Sequence, residues 1–92
     1  MRTRIISLTL FIPGALTLKD KRQIIQSMIA RIRKLNVSVA EIGYQDQWQR
    51  SRLGMAVVSN SNAFLDSIEA EIIKLIETQY PVEIVETIIE EH

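Results

Sequence analysis

Residues 3 to 12 alternate with a period of two: Ile6, Leu8, Leu10 and Ile12 fall on one side, and Ile5, Ser7, Thr9 and Phe11 on the other. That pattern predicts a strand with one face turned to a core. Pro13-Gly14 ends it, because proline donates nothing to a ladder and glycine permits the turn. A helix is predicted from Thr17, where Thr17 and Asp20 form a capping box with Asp in place of the usual Glu or Gln. At 100° per residue, Ile24, Ile25, Met28, Ile29, Ile32 and Leu35 gather on one stripe, with Lys19, Arg22, Gln26, Arg33 and Lys34 on the opposite arc.

Val37 to Ile42 and Leu53 to Val58 are short and rich in β-branched residues, which predicts two more strands. The polar connection between them spans about eight to ten residues, longer than a tight hairpin loop, and is expected to carry structure of its own. Ser61 or Asn62 can cap a second helix with the stripe Leu65, Ile68, Ile72, Leu75 and Ile76; Pro81 forces Tyr80 out of helical geometry and ends it. Val82 to Ile89 reads as a last strand whose alternation breaks at Glu86, the mark of an edge position or a bulge. Strand, helix, strand, strand, helix, strand is the βαββαβ order of an α+β, ferredoxin-like two-layer sandwich: a four-stranded antiparallel sheet with both helices on one face, here one domain over residues 1–92. The other sheet face would carry Ile5, Phe11 and Val85 or Ile84. That is too apolar for full solvation, so a homo-oligomer, a dimer, is expected to cover it.

Composition narrows the chemistry. The chain has no cysteine, and its one histidine is His92, so thiolate metal sites, disulfides and cysteine nucleophiles are excluded and neither a metal nor a cofactor is expected. No apolar run is long enough to span a membrane, and the N-terminus lacks the apolar core of a signal peptide, so a cytoplasmic protein without membrane contact is the expectation. The net charge of zero conceals a segregation: residues 1–52 hold ten basic and three acidic side chains, and residues 53–92 one basic and eight acidic. A basic binding surface is one reading. The other is a basic helix lying beside an acidic one, with the charges satisfying each other.

Three blocks of sequence carry a family resemblance. They are Ile12-Pro13-Gly14-Ala15 running on to Leu18-Lys19-Asp20-Lys21-Arg22; Asn36-Val37-Ser38-Val39-Ala40-Glu41 leading into Gln45-Asp46-Gln47-Trp48-Gln49-Arg50; and Leu53-Gly54 through Val57-Val58-Ser59-Asn60. On these blocks the chain resembles the YlxP-like family of small bacterial proteins over essentially its whole length. The resemblance implies a ferredoxin-like fold, a bacterial origin and a loose association with translation and ribosome-maturation genes, without an established activity. One position departs from the family's pattern: a histidine is expected before the Gln-Asp pair, and Tyr44 stands there.

Two places could bind. At the helix entry, Lys19, Lys21 and Arg22 lie in the first turns beside the positive end of the helix dipole, an arrangement suited to a phosphate or carboxylate, or else side chains that reach into water or to an acid elsewhere. In the polar connection, Tyr44, Gln45, Trp48 and Arg50 offer stacking faces and amide donors, while Trp48 could equally fold back to anchor the loop. A catalytic centre is not predicted. Asp46 has no histidine partner, Ser59 and Ser61 have no base, and Pro13-Gly14-Ala15-Leu16 does not resemble the phosphate cradle of acylphosphatases, which share this strand order. The leading expectation is a non-catalytic module that binds RNA or a ribonucleoprotein such as the ribosome through Lys19, Lys21, Arg22, Arg33, Lys34, Tyr44, Gln45, Trp48 and Arg50. The alternative is a homodimeric protein-interaction or small-ligand regulatory module built on the Ile5, Phe11 and Val85 face.

Overall fold

The computed structural model describes all 92 residues, in the order β1 (Arg2–Phe11), α1 (Leu18–Arg33), β2 (Ser38–Gly43), β3 (Arg50–Ser59), α2 (Asn62–Gln79) and β4 (Glu83–Glu91). The strands pair antiparallel in the order β2-β3-β1-β4, the ferredoxin-like sandwich that the element order predicts. β1 runs through the middle because Ile6, Leu8, Leu10 and Ile12 are all buried under the helices, which contribute Ile25, Met28 and Ile32 from α1 and Leu65, Ile68, Ile72 and Ile76 from α2. These residues share one contiguous apolar core with Val39, Leu53, Met55 and Val57 from β2 and β3.

The helix ends follow from their caps. The Thr17 hydroxyl accepts from the Asp20 backbone N–H at 3.1 Å, and the Asp20 carboxylate accepts from the Leu16 N–H at 3.2 Å, so the capping box reaches one residue further upstream than its standard form. α1 stops before Asn36, which takes the left-handed conformation (φ 63°) common after a helix C-terminus. Ser61 caps α2 by accepting from the Phe64 N–H at 3.2 Å, and Tyr80 is extended before Pro81.

Three sequence-based expectations need correction. β3 begins at Arg50, three residues before its apolar run, because Arg50, Ser51 and Arg52 pair with Phe11, Leu10 and Thr9. The connection therefore shrinks to the six residues Tyr44–Gln49. In β4 the register shifts so that Glu86 faces Thr9 and Ile84 faces Leu10, leaving Val85 as the extra residue of a bulge on an edge strand. Ile84 is thereby turned to the helix side, where it packs on the core, and Val85 stands exposed in the bulge rather than in regular alternation on the open face. Ile88, opposite Ser7, joins Ile5 and Phe11 on that face, as does Ile42 from a second bulge in β2. Ile42 lies over Gly54, where an added Cβ would come within 3.0 Å of its Cδ1 atom.

At the opposite end of the sheet Arg4, on the inward side of β1, is buried among acids. Its Nη1 donates to Asp66 at 2.6 Å and lies 3.4 Å from Glu69, while its Nε donates to Glu91 at 2.8 Å. The Asp66 hydrogen bond holds the guanidinium above its ordinary pKa against the opposing effect of burial, with Glu91 adding to the upward shift. One arginine thus ties β1, α2 and β4 together.

Truncating Ile72, fully buried where α2 meets the sheet, is expected to cost about 2–5 kcal/mol. Urea denaturation of Ile72→Ala should show a lower midpoint at an unchanged slope.

Candidate functional site

Lys21 stands on the same stripe of α1 as Ile25, Met28 and Ile32, so the helix carries its side chain into the core, where it is 0% exposed. A buried ammonium needs acceptors around it. Its Nζ meets Glu41 Oε2 at 3.0 Å, donates to the Tyr44 carbonyl at 2.6 Å and lies 3.4 Å from the Gln45 carbonyl. Ser51, also fully buried, donates to the same Glu41 oxygen at 2.5 Å. No buried side-chain polar atom in the protein lacks a partner. Lys21 is therefore an internal clamp, and its predicted place in an external anion site is withdrawn.

The clamp shapes the Tyr44–Gln49 loop. Tyr44 adopts φ 59°, unusual for a residue with a Cβ, and its carbonyl also accepts from the Gln47 N–H at 3.0 Å, closing a tight turn over the ammonium. Gln49 fastens the far end: its carbonyl accepts from the Ile12 N–H at 2.8 Å, and its amide reaches the Pro13 and Ala15 carbonyls at 3.4 and 3.3 Å. The loop is held from inside by Lys21 and Gln49. Trp48 is not its anchor and remains 53% exposed, lining a shallow depression of about 490 Å³ with Phe11, Asp46, Gln47, Gln49 and Arg50.

The predicted binding residues divide by position. Tyr44, Gln45, Trp48 and Arg50 are exposed at the end of the sandwich where α1 begins, and Lys19 and Arg22 flank the buried Lys21 there on solvent-facing positions. Arg33 and Lys34 are exposed at the other end of α1, roughly 20 Å along the helix axis. No ion pair joins α1 to α2. The pairs that form are Lys21 to Glu41, Arg52 to Glu86, His92 to Glu90, and Arg4 to Asp66, Glu69 and Glu91. The cations on the outer face of α1 thus have no acidic partner, while Arg31 lies over the Tyr80 ring at 5.8 Å.

The sequence reading missed Glu41, Ser51, Gln49 and Arg4. Parity could have found three of them: Glu41 follows Val37 and Val39, Ser51 precedes Leu53 and Met55, and Arg4 precedes Ile6 and Leu8, all on the inward side. Polar residues at inward positions opposite a lysine on a helix stripe signal a buried network. No cluster of side chains in the structure could hold a metal ion, and no helix is long and apolar enough to cross a membrane.

Comparison with known proteins places this arrangement in a family. The profile described as "Protein of unknown function (DUF503)" matches residues 4–89, a span that includes the clamp and the loop. The chain belongs to the DUF503 family. Within the curated proteins, this DUF503 member is 50% identical over 46 residues to the uncharacterized protein YlxP of Bacillus subtilis (strain 168), in agreement with the resemblance carried by the sequence blocks. The match takes in 49% of this chain, and the chain spans about half, 50%, of the length of that relative. Among solved structures it is similar to a putative PII-like signaling protein from Thermus thermophilus, with a TM-score of 0.54 at 12% identity over 100% of this chain and 87% of that one, a likeness of fold alone.

The clamp has a measurable signature. Lys21→Ala leaves the Glu41 carboxylate without its cation and is expected to cost about 3–5 kcal/mol. In a chain of this size that lowers the melting temperature by at least about 12 °C. The double variant Lys21→Met/Glu41→Gln, which removes both charges, should recover more than half of the loss in a calorimetric scan.

Proposed function

We propose that this DUF503 protein is a non-catalytic module that binds RNA or a ribonucleoprotein, with the Trp48 depression as a stacking surface and the outer face of α1 as a track of phosphate contacts. The observation that carries this reading is the half-exposed Trp48 beside Arg50 on a loop that other residues anchor. A half-exposed indole next to a guanidinium, on a loop whose backbone Lys21 and Gln49 hold, suits a nucleobase. Lys19 and Arg22 at one end of α1 and Arg33 and Lys34 at the other supply cations without acidic partners on a line roughly 20 Å long. β3 contributes no stacking: it presents Arg50, Arg52, Gly54, Ala56 and Val58 on its open side, without an aromatic. No chemistry is needed for this role, and Ser51, the hydroxyl nearest a carboxylate, is buried away from any substrate. A cytoplasmic location goes with the proposal.

Labelled single-stranded RNA in an anisotropy titration tests it. Trp48→Ala should weaken binding by about 1–3 kcal/mol, roughly five- to 150-fold, at any salt concentration. Arg22→Ala should instead reduce the slope of log affinity against log salt by about one. Equal, weak and salt-insensitive binding by wild type and both variants contradicts the proposal.

A homodimer through the open sheet face is the second reading, favoured by the layout of charge around its apolar patch. Arg50 and Arg52 on β3 lie to one side of β1, and Glu83, Glu86 and Glu90 on β4 to the other, with Ile5, Phe11, Ile42 and Ile88 among them. A copy laid face to face about a two-fold axis along β1 would set each basic column over an acidic one. Light scattering should then give a dimer for the wild type and a monomer for Ile5→Asp or Phe11→Asp. A monomeric wild type rules this reading out.

A further inference from the structure

β4 is an edge strand of nine residues with β1 as its only neighbour, so half of its backbone groups have no ladder partner. The direction of those groups follows from the register. Thr3 and His92 exchange both backbone hydrogen bonds at 2.9 Å, so in the antiparallel pattern Glu90 and Ile88 also bond to β1, and the N–H groups of Thr87, Ile89 and Glu91 point outward. Edges are ordinarily guarded by charged side chains, by proline or by a bulge. This one has a bulge only at Val85, which leaves Glu86–Glu91 in regular register; its charges are all of one sign, four glutamates and no cation in residues 83–91, and Val85, Ile88 and Ile89 are exposed at 53, 38 and 39%.

We infer that the free edge of β4 is a docking site for an extended segment of a partner protein, rich in lysine or arginine and alternating with apolar residues, which adds to the sheet as a fifth strand. Main-chain hydrogen bonds to the three outward N–H groups would supply affinity and register. With its apolar side chains on the helix side and its cations on the open side, the partner strand would meet Ile89 with the former, and Glu83 and Glu90, neither of them paired with an arginine or lysine, would attract the latter. Charge disfavours several pairings with a second copy: antiparallel about Thr87, Glu83 would oppose the copy's Glu91, and about Ile88, Glu86 would oppose its Glu90, like charges directly across from each other. Pairing about Ile89 opposes no two glutamates, and protection that depends on protein concentration distinguishes that case. Nucleic acid is repelled by the same carboxylates, so this edge is independent of the proposed RNA surface on α1.

A labelled synthetic peptide of about eight residues, alternating lysine with valine, tests the site against a lysine-proline peptide of equal length and charge. The lysine-valine peptide should bind at least roughly tenfold more tightly, because proline cannot form the ladder. On binding, amide exchange should slow at Thr87, Ile89 and Glu91 and stay unchanged along β2, the other edge. Ile89→Pro removes an outward donor without breaking a bond to β1 and should weaken binding roughly tenfold. The exchange measurement on wild type decides the matter even if that variant does not fold. Equal binding of the two peptides, protection on β2 instead of β4, no binding, or protection of β4 that grows with protein concentration in the absence of peptide would each overturn the proposal.

Discussion

A lysine ammonium taken out of water must be surrounded by acceptors, and the geometry at one end of this protein follows from how Lys21 meets that demand. One acceptor is Glu41, which the inward parity of β2 delivers beneath α1; the others are the Tyr44 and Gln45 carbonyls, which reach Nζ only if the chain turns back over it as soon as β2 ends. Tyr44 therefore takes a left-handed conformation that costs on the order of 1 kcal/mol or more for a residue with a side chain, offset by a charge-assisted hydrogen bond of 2.6 Å. Ser51 completes the coordination of Glu41, which helps to explain why β3 is already regular at a position where its sequence is still polar.

The clamp also separates two tasks that the loop could have combined. Had Trp48 been the anchor, its ring would have been spent on the core. Because Lys21 and Gln49 hold the backbone, the indole stays at the surface beside Arg50 at no cost to the loop's order. A rigid backbone carrying an exposed aromatic is preorganised, and binding through it loses little conformational entropy.

The opposed charges of the two halves of the chain do not cancel in the folded protein. The second half's acids are partly engaged by Arg4 and Arg52, both brought by central strands, and not by the cations of α1. The molecule thus keeps a basic helix on one flank and an acidic edge strand on the other, two surfaces of opposite preference on one small domain. Net charge alone, being zero, describes neither.

Period-two alternation over residues 3 to 12, the stripes ending at Leu35 and Ile76, the Thr17 and Ser61 caps and the stop at Pro81 were all legible in the chain, because each depends on neighbours within a few residues. They were enough to define the element order and hence the fold. The bulge at Val85 was half legible, in that a broken alternation at Glu86 betrays an irregularity but not which residue is expelled; that is set by how β4 matches Leu10 and Thr9 across the sheet. The start of β3 at Arg50, the burial of Lys21, the Glu41 and Ser51 oxygens around it and the enclosure of Arg4 by three acids were decided only by tertiary structure. Each joins residues far apart in sequence, and whether a charged side chain lies in water or in the core depends on acceptors that the fold alone assembles. Read as sequence, Lys21 is one of three equivalent cations at a helix entry; in the folded protein it is the one that lies inside.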